Sequence, residues 1–191
     1  MSKQTKVVII TGASSGIGKS TAELLLKENF KVVLAARRLD KLEEIVQKLS
    51  VSAEDYLAVE TDVTDVTLVD NLVEQTMTKF GRVDVLINSA GIMPLSTLAE
   101  GRVNEWDNMI DVNIRGTLHS IKNVLPIMRK QRNGHIINIA SIAAHEANPL
   151  GGVYGATKAA VLMISNSLRK EESNAKSNVR VSVISPGAGN T

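Results

Sequence analysis

The chain has 191 residues, the size of one ordinary domain with room for a full hydrophobic core. Hydrophobic residues make up 43% and charged residues 22%, a globular composition. The 22 basic against 20 acidic side chains leave no excess pointing to nucleic acid or a membrane surface as partner.

Cysteine is absent, which excludes disulfides, thiolate chemistry and cysteine-held zinc or iron–sulfur centres. No metal site is predicted. The polar start Met1–Lys6 and the short apolar run after it make neither a signal peptide nor a membrane span, so the expected location is the cytoplasm.

The stretch Val7–Gly18, VVIITGASSGIG, opens as an uncharged β-branched run, suited to a strand buried on both faces of a parallel sheet. Gly12, Gly16 and Gly18 follow, and then Lys19–Asn29 has helical spacing with Ala22, Leu25 and Leu26 on one side. Such a strand, glycine turn and helix lets backbone N–H groups approach a pyrophosphate and aims the helix dipole at it. The spacing Gly-x-x-x-Gly-x-Gly departs from the general dinucleotide fingerprint, and an ordinary tight turn would read the same way.

Lys31–Ala36 is a second predicted strand, Leu39–Leu49 a helix and Tyr56–Glu60 a third strand. A helix from about Asp65 to Phe80 ends at Gly81, and Val83–Asn88 is the fourth strand. A long helix covers roughly Asn104–Lys130, with Pro126 expected to end or kink it. Gly134–Ser141, Gly152–Ser173 and Val179–Ser185 are a strand, a helix and a sixth strand. Strict alternation without repeats or linkers predicts a single α/β domain over residues 1–191. It is a doubly wound, Rossmann-like parallel sheet of order 3-2-1-4-5-6 with the nucleotide at the switch point.

Functional residues of such a sheet lie at the carboxyl ends of its strands. The second strand ends in Arg37-Arg38, where an NAD-binding protein places an acid for the ribose hydroxyls. The arginines suit a 2′-phosphate instead, and the cofactor reading is NADP(H), with NAD(H) possible. The alternative is a pair of solvated charges. Asp62 either accepts from an adenine amino group or caps the following helix. Asn88-Ser89-Ala90-Gly91 either lets a cofactor come close or makes a tight turn.

Ser141 stands at the end of the fifth strand, and Tyr154 and Lys158 share one helix face at i, i+4. A free tyrosine titrates near ~10, so a tyrosine base at neutral pH needs about 4 kcal/mol of phenolate stabilisation. A neighbouring lysine pushes that way, and Ser141 could donate to a substrate oxygen as charge builds there. Taken alone, the tyrosine and lysine could be a packed ring and a snorkelling cation.

With these residues assembled, the chain resembles the short-chain dehydrogenase/reductase family from Lys6 to Thr191. Thr11–Gly18, Asp62-Val63, Asn88–Gly91, Asn113-x-x-Gly116, Ser141, Tyr154-x-x-x-Lys158 and Pro186-Gly187 occur in the family's order. The resemblance implies hydride transfer between the nicotinamide cofactor and a carbonyl or secondary alcohol, with Tyr154 as general acid/base. Lys158 would hold the phenolate and the nicotinamide ribose, Ser141 the carbonyl, and Asn113 a water leading from Lys158 to solvent.

It also implies that Gly12, Ser14, Ser15, Gly16, Ile17 and Gly18 cradle the cofactor. Arg37, Arg38, Asp62, Val63, Asn88, Ala90, Gly91, Pro186 and Gly187 would complete its site, with Ile184–Gly187 closing over the nicotinamide. Helices around Asn104–Lys130 and Gly152–Ser173 imply a homodimer or homotetramer.

The chain departs from the family at Ser89, at Ser15, where many NADP-dependent members have a basic residue, and at Gly189-Asn190-Thr191. Members continue into a substrate-covering segment, a helix and a seventh strand, which this sequence is expected to lack. A non-catalytic dinucleotide sensor on the same fold is the alternative function. Met93, Pro94, Leu95, His145 and Leu150 are expected to border a partly apolar substrate, and Trp106, His119 and the methionines to pack.

Overall fold

The computed structural model describes residues 5–187; the departure at 189–191 lies outside them. Strands and helices alternate as β1 (Val7–Thr11), α1 (Gly16–Lys27), β2 (Lys31–Ala36), α2 (Leu39–Leu49), β3 (Tyr56–Glu60), α3 (Val66–Phe80) and β4 (Val85–Asn88). After a loop come α4 (Val103–Met109), a π-helical turn (Ile110–Arg115), α5 (Gly116–Gln131), β5 (Gly134–Ile139), α6 (Gly152–Asn174) and β6 (Val179–Ile184). The strands form one parallel sheet in the predicted order β3-β2-β1-β4-β5-β6.

The central strand explains the absence of charged residues in its sequence. Every residue of β1 is buried, and successive side chains enter opposite layers. Val7 and Ile9 pack with Leu72 of α3, Val124 and Met128 of α5 and Leu168 of α6. Val8 and Ile10 pack with Ala22 of α1 and with Leu42 and Ile45 of α2. Each fully buried aliphatic side chain contributes about 1.5–3 kcal/mol, so both helical layers are held to the same five-residue strand.

β5 and β6 end two and one residues earlier than the sequence reading, at Ile139 and Ile184, and α6 one residue later, at Asn174; three other differences have a local cause. β4 starts at Val85 rather than Val83 because the Val83 backbone is occupied by the Gln131 carboxamide, at 3.1 Å to its N–H and 2.7 Å to its carbonyl. Helix α1 begins at Gly16, directly out of the glycine turn, and Asn29 has φ +61°, outside the helix. The long helix is interrupted upstream, at the π turn, and α5 runs through Pro126 to Gln131. One proline costs a helix about 3 kcal/mol, which burial of Ile121, Val124 and Met128 on the same helix offsets.

At the end of α3, Gly81 takes φ +71° and its N–H closes on the Met77 carbonyl at 2.8 Å, as the sequence predicts. No helix among the described residues is long and apolar enough to cross a membrane.

Candidate active site

β1 and β4 diverge after Thr11 and Asn88, which are register partners, and their loops open the crevice expected at a switch point. The Thr11 hydroxyl accepts from Ser89 N–H and Ala90 N–H, each at 3.2 Å, and ties the two loops together. That approach requires glycine at position 12. It has φ +67°, and a Cβ there would lie 2.7 Å from Ala90 Cα. At Gly18 a Cβ would lie 2.4 Å from the Gly12 carbonyl oxygen, so the first turn of α1 sits directly on the loop. We expect Gly18→Ala to force the turn open and reduce dinucleotide binding by at least about 100-fold, measured by nicotinamide fluorescence, with thermal unfolding reporting any loss of fold.

A cleft of about 710 Å³ runs along these carboxyl ends. Its lining includes the predicted Gly12, Ser14, Ser15, Gly16, Ile17, Val63, Ala90, Gly91, Pro186 and Gly187. Arg37, Arg38 and Asp62 line it too, as do Ser141, Tyr154 and Lys158. Ser15 is the N-cap of α1 without a side-chain capping bond, which leaves the N-terminal N–H groups of that helix directed at the cleft. Arg37 and Arg38 are exposed at the end of β2.

Gly18, Asn88 and Asn113 are not among the lining residues, contrary to expectation. Gly18 lies beneath Gly12. Asn88 is buried and donates from Nδ2 to Asn138 Oδ1 at 2.8 Å, joining β4 to β5. Asn113 is buried on the π turn, with Oδ1 accepting from Ile92 N–H at 2.9 Å and Nδ2 donating to the Ile92 carbonyl at 3.0 Å. Nδ2 also donates to Thr157 Oγ1 at 3.0 Å. Its carboxamide thereby joins the π turn to Ile92 and to Thr157 of α6.

The two alternatives for Asp62 separate. Helix α3 is capped by Asp65, which accepts from Thr67 N–H at 2.8 Å. Asp62 Oδ1 instead accepts from Thr64 N–H at 2.9 Å and Thr64 Oγ1 at 2.7 Å, shaping the loop beside the cleft. Val63 is held from behind: Gly116 abuts its side chain, where a Cβ would come within 2.5 Å. The Val63 carbonyl lies 2.8 Å from His119 Nδ1, so that nitrogen carries a proton. His119 is therefore more than a packing residue.

At the other end, Ser141 leaves β5 and starts a 3₁₀ turn, Ile142–Ala144, in which its Oγ accepts from Ala143 N–H at 3.2 Å. Ile142 N–H donates to the Pro186 carbonyl at 3.0 Å, coupling that turn to the Pro186-Gly187 wall. Lys158 is 6% exposed. Its Nζ donates to the Ile139 carbonyl at 2.9 Å and stands 5.8 Å from the centroid of the Tyr154 ring. Burial lowers its pKa from 10.5 to about 8, and among the described residues no carboxylate pairs with it.

Met93, Leu95, Ile142, Ala143, Asn148 and Gly151 complete the cleft near Ser141 and Tyr154. Of the expected border, Pro94, His145 and Leu150 are not among its lining residues. Leu150 instead accepts from Ser96 N–H at 2.9 Å through its carbonyl, and His145 Nε2 lies 3.4 Å from Ser185 Oγ. The reading of the sequence missed Thr157, whose only signal was its place between Tyr154 and Lys158.

Residues 6–191 match the sequence profile of the family described as short chain dehydrogenase. The chain is 52% identical over 187 residues to an uncharacterized oxidoreductase of Staphylococcus saprophyticus, covering 97% of this chain and 75% of that protein. A short-chain dehydrogenase/reductase from Burkholderia phymatum, in complex with NAD, superposes with a TM-score of 0.92 at 34% identity, covering 96% of this chain and 66% of that one. An alcohol dehydrogenase from Thermococcus sibiricus, complexed with 5-hydroxy-NADP, superposes with a TM-score of 0.88 at 30% identity, covering 98% and 78%. With the fold, the cleft and the sequence in agreement, the chain belongs to the short-chain dehydrogenase/reductase family of oxidoreductases.

Proposed function

We propose that this protein is an NADP(H)-dependent oxidoreductase that interconverts a carbonyl and a secondary alcohol, with Tyr154 as general acid/base. One observation carries the reading: Tyr154, Ser141 and the buried Lys158 line the same cleft as the Arg37-Arg38 pair. The cradle fits a dinucleotide because Gly12 and Gly18 sit where a Cβ would collide with backbone, so backbone N–H groups are free to meet phosphate oxygens.

The bound cofactor supplies or accepts the hydride. Tyr154 gives its phenolic proton to the substrate oxygen in reduction and takes it back in oxidation. Lys158 stabilises the phenolate through its buried charge, and Ser141 donates a hydrogen bond to the oxygen on which negative charge grows. Met93 and Leu95 favour a partly apolar substrate.

The same reading makes residues 1–191 one catalytic domain acting in the cytoplasm. Ile110, Leu118 and Met163 are exposed apolar residues on the π turn, α5 and α6, which favours a homodimer or homotetramer formed through these helices.

The test is titration of the purified chain with NADPH and with NADH, followed by nicotinamide fluorescence. Tighter binding of NADPH supports the assignment. Preference for NADH removes the phosphate role of Arg37, and binding of neither refutes the oxidoreductase reading. Arg37→Asp should weaken NADPH binding by at least about tenfold, the loss of one charge-assisted contact, while leaving NADH binding equal or improved.

A further inference from the structure

We infer that Thr157 is a positioning residue for Tyr154, acting through a clamp that joins the end of β4, the π turn and α6. Its catalytic consequence rests on the oxidoreductase reading above. Thr157 lies on the same helical side as Tyr154 and Lys158, at i+3 from the tyrosine, and is 1% exposed. Its Oγ1 lies 2.7 Å from the Tyr154 carbonyl oxygen and 3.0 Å from Asn113 Nδ2.

The direction of each bond follows from the donors present. Ile92 N–H can only donate, so the Asn113 atom 2.9 Å away is its carbonyl Oδ1. The other carboxamide atom is then the NH₂, which spends one hydrogen on the Ile92 carbonyl and one on Thr157. Thr157 accepts there, which sends its own proton to the Tyr154 carbonyl. Each hydrogen of the Asn113 amide and the Thr157 hydroxyl is thereby used once.

This arrangement has two states only with difficulty, because rotating any member leaves a buried donor or acceptor unpaired. It fixes the first turns of α6 against the Gly91-Ile92 loop. Gly91 in turn packs on the lysine: a Cβ there would lie 3.3 Å from Lys158 Nζ and 3.4 Å from Asn113 Oδ1. The π turn has a purpose in this scheme. It carries Asn113, whose side chain reaches both Ile92 and Thr157, at a kind of helix irregularity often found at functional sites.

Thr157→Val keeps the volume and removes the hydroxyl, and Thr157→Ser keeps the hydroxyl and removes a methyl. Both variants would be measured for kcat and KM across pH. The ring carbon resonances of ¹³C-labelled tyrosine would be followed alongside; the chain has 2 tyrosines, so Tyr56→Phe assigns the Tyr154 signal. Thr157→Val should lower kcat on the order of 10-fold or more, as a misplaced catalytic group does, with the KM for NADPH changed less than twofold. The pH profile of kcat/KM and the Tyr154 resonance should both shift.

Thr157→Ser should restore all three readouts, and Thr157→Ala replaces Thr157→Val if that variant does not fold. Equal impairment in Val and Ser, or a Val variant with unchanged kcat and pH profile, overturns the assignment and leaves Thr157 as packing. If the wild-type chain reduces no carbonyl compound, the oxidoreductase reading falls separately, and the Tyr154 resonance alone decides: unmoved in Thr157→Val, it overturns the clamp.

Discussion

Tyr154→Phe is expected to lower kcat on the order of 10³-fold in both directions while changing NADPH affinity less than about twofold. The substitution removes one oxygen and keeps the ring, which is half-buried in the wall of the cleft beside the Lys158 ammonium. Packing and the cofactor cradle, built from β1, α1 and the ends of β2 and β4, are untouched. What disappears is the group to which the proposed mechanism assigns proton transfer at the substrate oxygen, and general acid–base catalysis contributes about 10²–10⁴-fold. Steady-state kinetics with a ketone and with its alcohol, beside a fluorescence titration, check both halves. A variant that keeps wild-type kcat would move the proton transfer to another group; equal inertness of wild type and variant, both binding NADPH, would make the chain a sensor.

Much of the fold is legible because its elements are encoded locally. Lys31–Ala36, Leu39–Leu49 and Tyr56–Glu60 are predicted to the residue, since short, mainly apolar runs and the spacing of Leu42, Ile45 and Val46 each leave one way to bury their apolar side chains. The cleft lining is legible for a related reason. A doubly wound sheet brings the carboxyl ends of distant strands together, so Ser15, Arg37, Asp62, Ala90 and Ser141 share one cleft despite their separation in sequence.

What escapes the sequence depends on single long-range contacts. The π turn is tied to Asn113 meeting Ile92, 21 positions away, and no periodicity announces that. The start of β4 is decided by Gln131, 48 positions away. Asn88 reads as a cofactor residue from its motif, yet its carboxamide joins β4 to β5 inside the sheet. His119 carries no motif, and its relation to the cleft becomes visible only once α5 lies against Val63. Asn113 and Asn88 each spend a buried amide on a partner in another element, Asn88 on Asn138 of β5 and Asn113 on Ile92 and Thr157.

Lys158→Met is expected to abolish turnover and to make the fold more stable at neutral pH. The lysine pKa falls from 10.5 to about 8 on folding because burial disfavours the charged form. Below pH 8 the side chain is charged in both states, and the difference corresponds to about 3 kcal/mol against the folded state. Between pH 8 and 10.5 the folded chain has released a proton that the unfolded chain still holds, so this contribution to stability rises with pH; above 10.5 the cost is gone. Methionine removes the burial cost but also the bond to the Ile139 carbonyl, worth about 1 kcal/mol. The net gain should be about 2 kcal/mol at pH 7, falling to nothing or reversing near pH 10.5, and urea unfolding at the two pH values measures it. A variant less stable than wild type at pH 7, or a difference that does not narrow as pH rises, would mean that the ammonium is well solvated where it lies. In that case its charge would be screened from Tyr154, and the physical ground for a stabilised phenolate would be lost. Gain of stability together with loss of turnover is the signature of a charge kept in the cleft for chemistry, at the expense of the fold that holds it.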